Sequence, residues 1–156
     1  MISNDLLITI LLSIAPISEL RGGILYGLLK GLDPTLVFIV SVISNILISI
    51  PVFLFFKYII QKLLHIKFIE KHYSIQYKRA LKHLHPQVEK YGVWALAIFI
   101  GIPLPGTGVY TAAIGAAALD FEFKEFLISS ILGVLIAGII VTAVIVTGNA
   151  AYMMIS

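Results

Sequence analysis

The sequence predicts an all-α integral membrane protein made of two repeats, each a broken, re-entrant helical hairpin followed by a transmembrane helix. Three observations lead to this prediction. The 156 residues are 60% hydrophobic and 12% charged, with a mean hydropathy of +1.05, whereas a soluble domain carries about 25% charged residues. Two long segments contain no charge, and two further apolar segments are interrupted near the middle by proline.

The composition also argues against several classes of protein. The chain has no cysteine, which excludes a disulfide framework and thiolate metal sites. Its four histidines lie at spacings that predict no metal site, and no P-loop, dinucleotide fingerprint or nucleophile–base set occurs. We therefore expect no metal, no cofactor and no enzymatic activity. The opening residues MISNDLL lack the features of a signal peptide, so we expect the N-terminus to be retained.

The two uninterrupted segments, Thr35–Phe56 and Phe126–Thr147, predict transmembrane helices over residues 35–64 and 123–149. A helix of about 20 residues, at about 1.5 Å for each residue, spans a hydrocarbon core of about 30 Å. Both uninterrupted segments are long enough for this. Asn45 lies in the middle of the first segment. It faces either a binding site or a neighbouring helix, to which it would donate a hydrogen bond.

The two interrupted segments predict hairpins over residues 5–30 and 91–119. Pro16 breaks the first, and Pro103 and Pro105 break the second. The resulting pieces of about ten to fourteen residues are too short to cross the bilayer, and a break at membrane depth requires protein or water to satisfy it. Re-entrant hairpins would make the repeats inverted, whereas spanning segments would give four crossings and parallel repeats. The central position of each break favours the inverted arrangement.

The halves also resemble each other in sequence. Pro16 and Pro103 are 87 residues apart, as are the dipeptides Leu32-Asp33 and Leu119-Asp120. Small residues follow each break at every fourth position, which allows helices to approach closely; they are Gly23, Gly27 and Gly31, then Gly108, Ala112 and Ala116. We therefore expect one membrane domain over residues 1–156, with repeat one at 1–64 and repeat two at 91–156. Paired interrupted segments indicate the binding site of a transporter.

Residues 57–90 hold eight of the eleven lysines and arginines. Within this segment, residues 65–90 are typical of a basic amphipathic helix on an anionic leaflet, although a solvated linker has the same charge pattern. The positive charge predicts a cytoplasmic location. We do not expect nucleic-acid binding, because membrane-surface helices carry the same basic signature.

Glu19 and Arg21 lie two residues apart, directly after the first break. A charge deep in a bilayer costs at least about 2.5–3.5 kcal/mol, so its default interpretation is functional. Residues two apart on a helix do not face each other, and each charge therefore needs a partner elsewhere. The alternative is that the hairpin tip stops at the membrane surface, where water solvates both side chains.

The breaks also predict a binding site for an anion. Ser18 is a candidate N-cap for the helix after Pro16, and Gly106 with Thr107 occupies the matching position in the second half. Helix N-termini bind anions, the guanidinium of Arg21 suits phosphate or carboxylate, and Glu19 is a candidate proton carrier. The expected binding residues are Ser18, Glu19, Arg21, Asn45, Gly106, Thr107 and Tyr110. Tyr26 and Tyr110 are expected either to line the cavity or to pack against neighbouring side chains. Asp33 and Asp120 are expected to cap the long helices.

The stretches ISELRGGILYG and PLPGTGVYTAA resemble a prokaryotic family of small multi-drug export proteins, which is similar to the wider DedA superfamily. The likeness covers nearly the whole chain. It implies re-entrant hairpins in inverted halves, a cell-membrane location and transport. For DedA relatives it implies proton-dependent flipping of polyprenyl-phosphate carriers or other phospholipids.

Carried onto this chain, the resemblance places Glu19 and Arg21 at the acidic and basic positions of the first hairpin. Pro103, Pro105 and Gly106 match the break of the second hairpin. The chain departs from the family pattern in three ways. Leu25 stands where a second proline is expected and Tyr110 where tryptophan is more usual, and the second hairpin lacks the arginine of typical DedA proteins.

These observations together predict a multi-pass transporter of the cell membrane, a proton-coupled flippase or exporter of an anionic lipid or a small amphiphile. One alternative is efflux of lipophilic cations or drugs, with Glu19 as the binding carboxylate. Another is a non-transporting membrane scaffold that binds a partner through its glycine-rich faces and its basic helix. The expected partners are membrane lipids, the substrate and a proton. A second copy of the chain is also expected, because two short halves supply few helices to enclose a cavity.

Overall fold

The structure is a computed structural model that describes residues 4–64, 91–104 and 106–155. Over these residues helices are the only regular secondary structure, which confirms the predicted all-α class. Six helices are seen there: α1 (Asn4–Ile14), α2 (Glu19–Leu29), α3 (Pro34–Leu64), α4 (Tyr91–Gly101), α5 (Val109–Ala118) and α6 (Phe123–Ile155). The predicted amphipathic helix at 65–90 lies outside the described residues.

The two long helices, α3 and α6, are candidate membrane spans. Each contains 26 suitable residues, Pro34–Ile59 in α3 and Phe123–Gly148 in α6, or about 39 Å of helix. In the most apolar part of each span, 33% and 22% of the residues are buried. Their outward faces expose large aliphatic side chains such as Leu47 and Val144. A core helix of a soluble protein would be mostly buried, whereas these helices expose wide apolar faces, as expected of a surface that contacts lipid.

α3 and α6 pack against each other as an antiparallel pair. The ring of Phe53 stacks on that of Phe126 with 4.3 Å between centroids. At the other end, a Cβ built on Gly138 would lie 2.9 Å from the ring of Phe38 and 3.0 Å from Val42. The numbering therefore rises along one helix as it falls along the other. Most of the buried core lies on the inward side of this pair.

α1 and α2 form an antiparallel hairpin that packs on the first half of α3. A Cβ at Gly23 would lie 2.8 Å from the carbonyl oxygen of Thr9 and would overlap Ser13, and one at Gly27 would lie 2.7 Å from Val37. Close approach at these two glycines is thus confirmed. Gly31 differs from them, because it has open space around it and ends the helix with a φ of 74°.

α4 runs parallel to α6, as shown by three successive contacts. The hydroxyl of Ser129 donates to the carbonyl of Val93 at 3.0 Å. Further along both helices, Gly133 packs on Ile100 and Gly101 packs on Ile136. α5 then returns along α3 and ends where Lys57 donates to the carbonyl of Phe121 at 2.6 Å. The order short, short, long therefore occurs twice, with the second long helix reversed.

α2 and α5 end in the same backbone motif, at positions that do not follow the 87-residue spacing of the sequence matches. The N–H of Leu32 donates to Gly27 at 3.1 Å and that of Phe121 donates to Ala116 at 2.9 Å. Both bonds are the six-to-one bond of a Schellman motif. The left-handed residues of the two motifs are Gly31 and Asp120, with φ of 74° and 58°. These positions are 89 residues apart, not 87.

The same shift changes the capping of the long helices. Asp33 caps α3 as predicted, since its Oδ1 accepts the N–H of Leu36 at 2.9 Å. Asp120 does not cap α6, because the helix starts three residues later and the N–H of Glu122 donates to Glu125 Oε2 at 2.8 Å. Asp120 instead lies 3.6 Å from the ammonium of Lys57.

Candidate functional site

The two helix breaks meet beside the middle of α3. We call this place the tip junction, meaning residues 15–21 of the first hairpin and residues 102–104 and 106–110 of the second; the predicted break at Pro105 lies outside the described residues. Asn45 Nδ2 donates to the carbonyl of Ser13 at 2.8 Å, next to the first break. The hydroxyl of Tyr110, from the second hairpin, donates to the neighbouring carbonyl of Ile14.

Arg21 holds the second break through its guanidinium group. Its terminal nitrogens donate to the carbonyl oxygens of Ile102 at 3.0 Å, of Leu104 and of Thr107, and they reach Thr107 Oγ1 at 3.2 Å. The end of a helix leaves its last carbonyls without partners, and prolines have no N–H to offer. Arg21 supplies charged donors in addition to the backbone N–H groups of Leu104 and Thr107, which donate to Ile102 and Leu104. Its Nε is buried and has no partner among the described residues.

Glu19 holds the other end of the same break. Its side chain is only 6% exposed, and its Oε1 lies 3.4 Å from the backbone nitrogen of Tyr110. A Cβ on Gly108 would overlap the Glu19 carboxylate, so a glycine is required there for this approach. The carboxylate therefore lies at the N-terminus of α5, where the helix dipole stabilises negative charge.

Glu19 and Arg21 thus take separate partners, as the two-residue spacing predicts. Among the described residues, the one ion pair within 4.0 Å is Lys57–Asp120. Glu19 has a φ of 49°, a left-handed conformation that costs about 1–3 kcal/mol in a non-glycine residue. In this conformation the Glu19 carboxylate contacts the N-terminus of α5 and not the start of its own helix.

The predicted N-cap role of Ser18 is wrong. An N-cap residue needs extended backbone so that its side chain can reach the N–H groups of the first turn. Ser18 is instead helical, with φ of −82° and ψ of −41°, and makes no capping bond. Its hydroxyl donates backwards to the carbonyl of Leu12 at 2.6 Å.

The C-terminus of α1 is therefore capped by three different elements. The carbonyl oxygen of Leu12 accepts a hydrogen bond from Ser18 in the loop. The carbonyl oxygen of Ser13 accepts one from Asn45 in α3, and that of Ile14 accepts one from Tyr110 in α5. Asn45 makes the interhelical hydrogen bond that its position predicts. The sequence contains no local signal for the capping by Tyr110, because its acceptor lies 96 residues earlier.

Thr107 folds the second break onto itself. Its Oγ1 lies 2.6 Å from the carbonyl oxygen of Ile102 and 2.8 Å from that of Leu104. Gly106 makes the turn between them with a φ of 84°. The predicted binding residues thus come together at the tip junction, together with Gly108, which the prediction omitted although the GTG sequence marks a close approach.

Tyr26 lies away from the tip junction. Its hydroxyl donates to Asp5 Oδ1 at 2.9 Å, and Lys30 lies over its ring with the ammonium 5.6 Å from the centroid. This set is at the open end of the first hairpin. In the described parts of the chain, no three histidine or acidic residues lie close enough together to hold a metal ion.

Comparison with known proteins identifies the family. No curated protein and no solved structure gives a significant match to the chain. The sequence model of the family described as "Putative small multi-drug export protein" matches residues 19–140, more than three quarters of the chain and nearly all of the tip junction. The resemblance to the wider DedA superfamily stays a prediction. The family and the two candidate spans assign the chain to the membrane, and the chain belongs to the small multi-drug export protein family.

Proposed function

We propose that this protein is a proton-coupled membrane exporter whose substrate crosses at the tip junction. The observation that carries the proposal is that Glu19 and Arg21, on one hairpin, hold the broken backbone of the other hairpin. The hairpins cannot part at this point unless both side chains exchange these partners. The description of the family supports export, and the two candidate spans support transport across a membrane.

The proposed topology has two re-entrant hairpins that enter the membrane from opposite sides. α1 and α2 have 11 residues each, or about 16 Å, which is too short to cross. The antiparallel packing of α3 and α6 supports inverted halves. Asn45 supports a deep position of the tips, because it lies near the middle of the span Pro34–Ile59. Ile17, at the first tip, is fully exposed and apolar.

The proposed substrate carries an anionic group, as in a polyprenyl-phosphate-like lipid or an acidic amphiphile. Glu19 occupies the N-terminus of α5, so a substrate anion would compete with its carboxylate for the same N–H groups. A proton on Glu19 removes the charge that the helix dipole attracts. The anion would therefore bind when Glu19 is protonated, and Arg21 would exchange backbone carbonyls for the anion.

Efflux of lipophilic cations is the second candidate, and one observation favours it. Arg21 is turned toward the carbonyls of the second break and forms no ion pair with Glu19 within 4.0 Å. The Glu19 carboxylate is therefore the nearest unpaired charge for a cation that reaches the tip junction. A cation would bind when Glu19 is ionised, whereas an anion would bind when it is protonated.

The scaffold alternative requires the glycine-rich faces and the basic segment 65–90, and that segment lies outside the described residues. Gly23 and Gly27 pack on Thr9, Ser13 and Val37 within the same chain. These glycine positions are buried, so they offer no face to a partner in this conformation.

Transport by purified protein in proteoliposomes tests the proposal. We expect Glu19→Gln to abolish substrate-dependent proton movement, and Arg21→Ala to abolish substrate transport. Glu122→Gln is the matched control, because Glu122 is an exposed carboxylate outside the tip junction. Export that stays complete in both variants would refute the site. Protection of a cysteine at position 107 by phosphate lipids supports the first candidate, and protection by quaternary ammonium compounds supports the second.

A further inference from the structure

We infer that the structure binds a file of water molecules between its two long helices and its two hairpins, held by Ser41, Asn45 and Ser130. The water file would extend from the tip junction by about one helical turn toward each side of the membrane. Its existence does not depend on export. Its role, to carry protons to and from Glu19, rests on the proposed function.

The first support is a difference among the hydroxyl groups. Buried serine and threonine side chains in helices usually donate to a carbonyl three or four residues earlier. Four buried hydroxyls do so here, on Thr9, Ser13, Ser49 and Ser129, as does the exposed Thr147. The hydroxyl oxygens of Ser41, Ser130 and Thr142 are buried and have no partner among the described residues, and the residues Ser41 and Ser130 are completely buried. Since such groups are almost always satisfied, water is the expected partner.

The second support is position. Ser41 and Ser130 are each the eighth residue of a long helix, and they are 89 residues apart. The same spacing separates the two Schellman residues, Gly31 and Asp120. These two buried hydroxyls therefore occupy equivalent places in the two halves, which a packing defect in one half would not produce.

The third support is Asn45, which lies between the two serines. Its Nδ2 donates to Ser13, but its Oδ1 is buried without a partner among the described residues. Ser41 and Asn45 are four residues apart on one face of α3, about 6 Å along the helix axis. The antiparallel contact of Phe53 with Phe126 places Ser130 at the level of Ser49, another turn further. Three unsatisfied polar groups thus follow one another at intervals of about one helical turn, a distance that single water molecules can bridge.

This line passes the tip junction. Asn45 and Tyr110 donate to the adjacent carbonyls of Ser13 and Ile14, and the backbone N–H of Tyr110 faces Glu19. The buried Nε of Arg21, also unpartnered within the described chain, is one more donor at the same place. Water at Asn45 would therefore lie close to Glu19, with Ser41 toward the side where α3 starts and Ser130 toward the side where α6 starts.

Water-edited solid-state NMR of the protein in lipid bilayers tests this inference without a transport assay. We expect magnetisation from water to reach Ser41, Asn45 and Ser130 several-fold faster than Val37 and Val134. These valines are equally buried, and Val134 occupies in α6 the position that Asn45 has in α3. Transfer to Asn45 and to both serines that is as slow as transfer to the valines would overturn the inference.

Thermal unfolding provides a second test that does not need transport. Ser41→Ala and Ser130→Ala should each lower the Tm by about 2–4 °C, because each removes a hydrogen bond to bound water. Ser49→Ala is the control, since its hydroxyl already bonds to Ile46. An unchanged or higher Tm for Ser41→Ala and Ser130→Ala would overturn the inference. Complete export in both Glu19→Gln and Arg21→Ala, together with fast water transfer to Ser41, Asn45 and Ser130, would refute only the proposed function.

Discussion

The two helix breaks occupy equivalent places in the chain but differ in what they contribute. The first carries both charges, Glu19 and Arg21, and these reach across to the other hairpin. The second, residues 102–108, has no charge and supplies mainly backbone carbonyl and N–H groups. The first break therefore supplies the side chains of the contact, and the second break supplies the backbone groups that they bind. A duplicated order of helices thus supports two different tasks, because the side chains at the breaks differ while the helix lengths do not.

The capping of the short helices shows the same difference. α1 ends in three carbonyls that receive side chains from three elements. The carbonyls after α4 depend on Arg21 and on the internal bonds of Thr107. If the contacts across the tip junction open, the carbonyls at the first break keep their hydrogen bonds from Ser18 and Asn45. The carbonyls at the second break lose their hydrogen bonds from Arg21. We therefore expect the second hairpin to move during transport.

Removal of the Arg21 side chain should have the largest effect on stability. Arg21→Ala removes the charged donor from the carbonyls of Ile102, Leu104 and Thr107, at about 1.5–3 kcal/mol for each charged hydrogen bond. Arg21→Lys should recover only part of the loss, since an ammonium cannot reproduce the fork. Denaturation in micelles measures both. Lys30→Ala, on the exposed end of the same helix, should change little, and an equal loss there would show that the guanidinium contacts do not matter.

A side chain at Gly108 should be the next most damaging change. Gly108→Ala places a Cβ against the Glu19 carboxylate and should cost about 1–3 kcal/mol through overpacking. Gly115→Ala, in the same hairpin, has open space and should be neutral or stabilising by up to about 1 kcal/mol. In a Glu19→Ala background the Gly108→Ala loss should disappear. If it persists there, Glu19 does not lie against Gly108.

The two tyrosines provide a smaller test of the difference between the hairpins. Tyr110→Phe removes the bond to Ile14 that joins the hairpins and should cost about 1 kcal/mol. Tyr26→Phe removes a bond to Asp5 within the first hairpin, where water can replace it, so the midpoint of unfolding should shift less. Equal shifts would mean that Tyr110 contributes nothing particular to the tip junction.

The smallest effects are expected at the ends of α2 and α5. Gly31→Ala puts a side chain on a residue with a φ of 74° and should lose about 1 kcal/mol. Asp120→Gly relieves the same strain at 58° but removes the pair with Lys57, so the midpoint should change little. Asp120→Asn separates the backbone strain from the ion pair, because asparagine removes the charge but also tolerates the left-handed conformation. A large loss in Asp120→Asn would give the ion pair more weight than its exposure suggests.

The amino-acid composition and the order of apolar segments already decide the class of this protein. Two long uncharged stretches leave few alternatives to membrane-crossing helices, and prolines inside shorter apolar stretches limit where helices end. The need of Glu19 and Arg21 for separate partners also follows from local geometry, because residues two apart cannot face each other on a helix.

Only the tertiary structure decides which partners these residues take. Ser18 reaches backwards to Leu12, Glu19 meets α5 rather than its own helix, and Arg21 meets carbonyls more than 80 residues away. Backbone carbonyls and N–H groups have no residue type, so no sequence pattern marks them as acceptors or donors for a distant side chain. The spacing of 89 residues is likewise set by the Schellman motifs. Gly31 and Asp120 take the same left-handed backbone conformation in these motifs although they are different residue types. Hydrogen bonds that involve the backbone become visible when the chain is folded, because the fold alone brings those groups together.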